Sequence, residues 1–369
     1  MKTTTSFSLV SSLAIVLLAA GPRGLAQQPP ESSQPSPVTV PTRPANPVYK
    51  GEPGKQRPEI TFAPVNRTVT VKLQVQDPNG YFLPNIRREN FAVYEDGVRQ
   101  KNVTVEIEHA PVSVALLTEF GSRYHELNKV LGMEVPLIGK QLLEVIGRDD
   151  KVSIFKYDAK LDTLADFNQG HEALDQVFDH LTSPPSSEAN FYDAFLETLN
   201  RMRDVAGRKA IIAVSSGVDT FSKTSFEQLV EAARNSATPI YTIGLLHPMQ
   251  REAAVYGAAA PFARIDWTAA EKRLETLAKV SGGRAYELQS DADVPAVYDD
   301  IMENLRVRYV VTYVSSNTAT AGPPRTIRID LIDPKTGEAL RIRDATGKIV
   351  ASKVFVQESY QPTGTAAGG

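Results

Sequence analysis

The apolar positions of this chain change period twice. Between Thr68 and Gln76, the residues Val69, Val71, Leu73 and Val75 alternate with polar ones. That period of two predicts a strand with one buried face. Asp77-Pro-Asn-Gly80 is a turn signal, because proline presets φ and glycine accepts a positive φ. Phe91–Tyr94 and Val103–Ile107 read as further strands on either side of a Glu95-Asp-Gly97 turn. Residues 61–109 are therefore predicted to be all-β.

At Pro111 the pattern changes. Val112–Leu117 is a continuous apolar run, as expected of a strand buried on both faces of a parallel sheet. Helical spacing follows over 124–146, where Pro136 is expected to kink or break the helix. Strands predicted over 152–155, 210–214, 240–243 and 285–287 then alternate with helices over 172–181, 191–205, 226–233, 269–280 and 297–305. The segment 249–266 reads as an inserted loop. Trp267, the one tryptophan, reads either as the apolar entry to its helix or as a binding residue. Such alternation implies crossover connections and a doubly wound, mostly parallel sheet covered on both faces, an α/β fold of Rossmann-like type.

From residue 308 the period of two returns, with strands predicted over 309–314, 326–332 and 349–356. Neither β segment is large enough to be stable alone. The domain reading is a β-sandwich made jointly by 61–109 and 308–358, with an α/β domain, 110–307, inserted between them. Two separate β appendages are the alternative.

Outside these regions the composition decides. Residues 1–26 combine Lys2, an apolar run from Leu9 to Ala20 and a small-residue Gly24-Leu-Ala26 site, which read as a cleaved signal peptide. The run is shorter than the ~20 residues a membrane span needs. Residues 27–60 are rich in Pro, Ser, Gln and Thr and read as a disordered linker, and 359–369 as a loose tail. The expected product is secreted or periplasmic in a bacterium, with no membrane span after cleavage. A net charge of −3 offers no electrostatic case for nucleic acid. The absence of cysteine removes disulfides, thiolate metal sites and cysteine nucleophiles together.

Catalytic signatures are equally scarce. The five histidines lack metal-binding spacing, and no nucleophile elbow or phosphate loop occurs. Asp149-Asp150 and Asp299-Asp300 read as solvated charge, since adjacent helical residues face apart. Ser215-Ser216-Gly217, at a strand end, has no identifiable base.

Three passages carry a resemblance. They are Asp77 to Gly97, the strand and turn Leu116-Leu-Thr-Glu-Phe-Gly-Ser122, and Tyr298 to Tyr313. Residues 111–305 resemble a von Willebrand factor A domain, and 68–356 are similar to a family of exported acidobacterial proteins carrying a domain related to it. The resemblance implies a Mg²⁺ or Mn²⁺ site built from three loops at the carboxyl edge of the sheet. The first would give Asp and two Ser, the second Thr, and the third Asp. Here Thr118 stands for the first Asp and Phe120 for the first Ser, and only Ser122 is retained. Ala189 stands for the Thr and Ser216 for the last Asp.

Neutral hydroxyls compensate a dehydrated divalent cation poorly, so the expectation is no cofactor. Mg²⁺ or Mn²⁺ held by shifted carboxylates remains the alternative. Glu119 is expected to point off the site, Asp193 to sit at a helix start, and Asp219 to cap a turn or supply a compensating charge. Phe120 is expected either as an exposed contact or as a plug of the ion cavity.

The resulting reading is a non-enzymatic protein-binding module. Thr118, Glu119, Phe120, Ser122, Asn190, Ser216 and Asp219 would form its partner face, and the partner would be another protein. A structural envelope-assembly module with an inert loop face is one alternative. A hydrolase using Ser122 or Ser216 is another.

Overall fold

The computed structural model describes residues 38–40, 49–50, 59–63, 66–78, 81–181, 183–185, 187–257, 261–355 and 359–362. The expected signal peptide and most of the expected tail lie outside these residues.

Seven strands form the central sheet. In spatial order they are Leu161–Ala165, Lys151–Tyr157, Val112–Glu119, Arg208–Ser215, Ile240–Gly244, Ala285–Glu287 and Tyr49–Lys50. The middle five are parallel and the two outer strands antiparallel. Counted along the α/β region alone the order is 3-2-1-4-5-6, the doubly wound arrangement. The sequence shows why the middle is buried. Val112, Val114 and Leu116 enter one apolar cluster, while Ala115 and Leu117 enter the cluster on the opposite face. Helices His125–Val145, His171–His180, Leu246–Tyr256 and Val294–Arg306 contribute to the first cluster. Helices Phe191–Met202, Phe226–Asn235 and Trp267–Ser281 contribute to the second.

The flanking β segments pair with each other. Thr68–Gln76 runs antiparallel to Val307–Val314 with Leu73 opposite Tyr309 and Val71 opposite Val311. Thr104–His109 lines the other side of Val307–Val314. A second sheet joins Arg325–Leu331 to Phe91–Glu95. Both sheets turn their apolar faces into one cluster containing Val69, Val71, Leu73, Phe91, Val93, Tyr309, Val311, Ile327 and Ile329. His109 pairs with Val307, so the chain enters and leaves the α/β part side by side.

Four local expectations need correction. The stretch 27–60 is not wholly a spacer. Thr39–Val40 pairs with Ile342–Asp344, Tyr49–Lys50 with Ala285–Glu287, and the strand Glu59–Ala63 with Thr68–Gln76. Val38 and Val40 are buried in the β core. Strand edges left open elsewhere in the fold capture these short segments, and local composition cannot register such edges. Pro136 does not end its helix, which runs from His125 to Val145. Its buried stripe of Leu127, Leu131, Val135, Ile138 and Leu142 outweighs one lost backbone bond. The inserted loop at 249–266 is largely the helix Leu246–Tyr256 and a turn over Pro261–Arg264, anchored by buried Leu246, Met249 and Phe262. Asp300 and the Asp150 side chain are buried, paired with Arg284 and Arg306 respectively. Trp267 opens its helix and packs half-buried on the core, and Asp266 caps that helix through the Ala269 N–H at 2.9 Å.

Candidate functional site

In an open α/β sheet the crevice for a ligand lies at the carboxyl ends of the strands, where the strand order reverses. Here that point falls between Val112–Glu119 and Arg208–Ser215. Glu119 ends the first strand and Ser215 ends the second, so these residues converge by topology although 96 positions separate them.

Glu119 does not point away. Its carboxylate is buried at the switch point and accepts hydrogen bonds from the Ser216 N–H at 2.7 Å, the Ser216 hydroxyl at 2.9 Å, the Ser215 hydroxyl at 3.1 Å and the Tyr157 hydroxyl at 3.1 Å. The Tyr157 and Ser215 hydroxyl oxygens lie 2.8 Å apart, so one of the two hydroxyls shares its hydrogen between the other and Glu119. Burial raises the Glu119 carboxyl above its ordinary value, although the Ser216, Tyr157 and Ser215 donors pull it back. The Tyr157 phenol is pushed well up by burial and by the charge of Glu119.

The remaining positions are equally committed. Thr118 is buried, and its hydroxyl donates to the Phe155 carbonyl at 3.1 Å. Phe120 is buried in the apolar cluster that also holds Leu127 and Leu131, so it offers no exposed contact. Ser122 is fastened by Asn128, whose Oδ1 accepts the Ser122 N–H at 2.8 Å and whose Nδ2 donates to the Ser122 carbonyl at 3.0 Å. Gly121 must lack a side chain, since a Cβ there would lie 2.6 Å from the Asp158 Cβ.

The second and third loops are tied together. Buried Ala189 gives its N–H to the Thr220 hydroxyl at 2.8 Å and receives the Thr220 N–H at its carbonyl. Asn190 is half-buried, with its Nδ2 donating to the Ala159 carbonyl. Asp219 accepts from the Tyr192 and Ser222 N–H groups and from the Ser222 hydroxyl. Asp193 lies in the first turn of Phe191–Met202 and accepts from the Lys223 and Thr224 N–H groups, both at 2.9 Å. Gly217, at φ +73°, brings this loop within a Cβ's reach of the Ala270 carbonyl.

At the positions where the resemblance expects ligands, Thr118 and Ser216 hold neutral hydroxyls, Phe120 and Ala189 hold no side-chain oxygen, and the Glu119 carboxylate at the centre is surrounded by protein donors. Among the described residues, no three His, Cys, Asp or Glu side chains come together as a metal set. Both serines are buried: the Ser216 hydroxyl donates to Glu119, and the Ser122 hydroxyl accepts the Tyr124 N–H.

Accessible side chains sit further out. Arg123 is exposed and pairs with Glu188 at 2.6 Å, joining the first loop to the second. Phe221, at the tip of the third loop, is 75% exposed. Lys223 beside it is exposed, and Arg273 on the helix Trp267–Ser281 donates to the Gly217 carbonyl at 3.2 Å. The residues expected to face a partner are thus mostly interior, and the rim is built from others. Phe221 had a signal in the sequence, as a lone large apolar residue in the polar run from Ser215 to Ser225. Tyr157 and Asn128 had none.

In fold, the chain is similar to von Willebrand factor A domains. No family model matches it and no curated protein does, but solved structures do. An aerotolerance-related membrane protein from Bacteroides fragilis matches at 13% identity and TM-score 0.40, over 52% of this chain and 99% of that one. The von Willebrand factor domain of the type V pili tip protein Mfa5 from Porphyromonas gingivalis matches at 14% and 0.40, over 53% and 95%. A von Willebrand factor type A protein from Catenulispora acidiphila matches at 10% and 0.41, over 75% of each chain. At TM-scores this low the likeness carries no argument about function. No described helix of this A-domain-like chain is long and apolar enough to cross a membrane.

Proposed function

We propose that this chain is an exported, non-enzymatic binding module that docks another protein on the rim of the carboxyl-edge loops, without a metal ion. One observation carries the reading. The polar centre is closed on itself through Glu119, Ser215, Ser216 and Tyr157, while the loops above it hold an exposed Phe221 on a hydrogen-bonded frame. A site for chemistry needs reactive groups within reach of a substrate. A docking surface needs a rigid support with an accessible apolar anchor. This rim meets the second requirement.

The test compares capture of envelope proteins by the wild-type chain and by Phe221→Ala, each with Mg²⁺ and with a chelator. Capture that depends on Phe221 and ignores the chelator is expected; equal capture by both proteins removes the loop face from the function. Calorimetric titration with Mg²⁺ and with Mn²⁺ is expected to give no heat of binding beyond dilution. Micromolar affinity would overturn the metal-free reading.

A further inference from the structure

We propose that two copies of this chain pair through the strand Thr104–His109, joining their sandwich sheets edge to edge in a two-fold dimer. Among the described residues that strand is the last of its sheet, bonded on one side only, to Val307–Val314. The Ala110 N–H donates to the Arg306 carbonyl. In the same register Glu108 with Arg308, Glu106 with Val310 and Thr104 with Thr312 are therefore the hydrogen-bonded pairs. The backbone N–H and C=O groups of Val105, Ile107 and His109 are left pointing away from the sheet. An open row of this kind is a template for another strand.

The side chains agree. Val105 and Ile107 stand opposite Val311 and Tyr309, on the face that turns into the β core. Val105 is partly buried there, but Ile107 is 42% exposed. A strand added at this edge covers it.

Backbone geometry and charge together select a second copy and its register. Asn102, at φ +53°, ends the extended backbone, so pairing starts at Val103. Like charges directly opposite each other destabilise a ladder. With the two-fold axis at Ile107, Glu106 would meet Glu108 of the second copy, and with the axis at Glu106 it would meet itself. An axis at Thr104 pairs only three residues of each strand. With the axis at Val105, five residues of each strand pair, Val103 of one copy covers Ile107 of the other, and Thr104 stands opposite Glu106. Glu108, already paired with Lys72 at 3.5 Å and with Arg208, lies outside this ladder.

Sedimentation equilibrium of the full-length chain over rising concentration tests this. Wild type should dimerise with a constant on the order of tens of micromolar, since so short a ladder buries less than a standard interface. Thr104→Glu sets two carboxylate pairs against each other across the axis and should weaken the dimer about fivefold; Thr104→Lys should tighten it about as much. Residue 104 is exposed, so both variants should keep the wild-type melting curve. The chain has no cysteine, and facing residues of this ladder have Cα atoms about 5.5 Å apart, within disulfide reach. Oxidation of Val105→Cys should therefore give a covalent dimer, and oxidation of Ile107→Cys should not. A wild-type chain that stays monomeric at hundreds of micromolar overturns the proposal. So does a dimer indifferent to both Thr104 substitutions, or one cross-linked by Ile107→Cys rather than by Val105→Cys.

Discussion

Phe120 and Glu119 are adjacent, buried, and opposite in chemistry. Phe120 contributes apolar area to the cluster under His125–Val145, and removing it leaves a cavity. Phe120→Ala is expected to lower unfolding stability by about 3–5 kcal/mol, read from urea transitions, while capture per folded molecule stays unchanged. Glu119 contributes a charge that burial disfavours. Because its folded pKa is raised, the folded state holds the proton more tightly than the unfolded chain. Its contribution to stability is therefore complete below the ordinary carboxyl value and is lost as pH rises through the folded value. Urea midpoints of the wild type should fall from acid toward neutral pH by an increment that Glu119→Gln removes. An unchanged pH slope in the variant would exclude Glu119 as the titrating group. The sequence shows both residues but not their directions, because the residues that hold Glu119, Ser215 and Ser216, lie almost a hundred positions away.

Among the elements, the short strand Thr39–Val40 ties a distant segment to the β core. Two residues pair with Ile342–Asp344, and Val38 and Val40 are buried in the β core. Val40→Ala should cost about 2 kcal/mol from lost apolar burial and the cavity that remains. The same variant should cut faster under limited proteolysis upstream of residue 59; equal cutting rates would mean that the segment is not held. The elements with a regular period were legible from residue spacing alone. The strands Thr68–Gln76, Val112–Glu119 and Val307–Val314 lie where alternation or a continuous apolar run places them. The short strands were not legible, because two residues carry no period, and what fixes them is an open edge supplied by distant chain.

For the whole molecule, the junction between the sandwich and the α/β part is polar and buried. Gln74 donates to the Asn304 carbonyl at 2.6 Å, and Arg284 reaches both Asp300 at 2.6 Å and the Asn304 side chain at 2.7 Å. Tyr286 donates its hydroxyl to the same Asp300 oxygen. Breaking a buried pair by removing one partner strands the other charge, so Arg284→Met is expected to cost about 3–5 kcal/mol. Arg284→Met combined with Asp300→Leu should cost less than Arg284→Met alone, a comparison made by thermal unfolding of the wild type, both single variants and the double variant. A loss in the double variant equal to the sum of the losses from Arg284→Met and Asp300→Leu alone would show that the two residues act separately.

By itself the sequence determined the class of each long element and the residue types, Thr118, Phe120, Ala189 and Ser216, that stand where the resemblance expects metal-binding oxygens. Those properties are local, carried by residue type and by the spacing that sets which face is buried. Tertiary structure alone decided that Glu119 closes the switch point, that Phe120 is core, that Phe221 is the exposed apolar residue, and that part of the spacer is strand. Each of these depends on which distant atoms fill the space around a side chain or an open strand edge, and only the folded chain brings those atoms there.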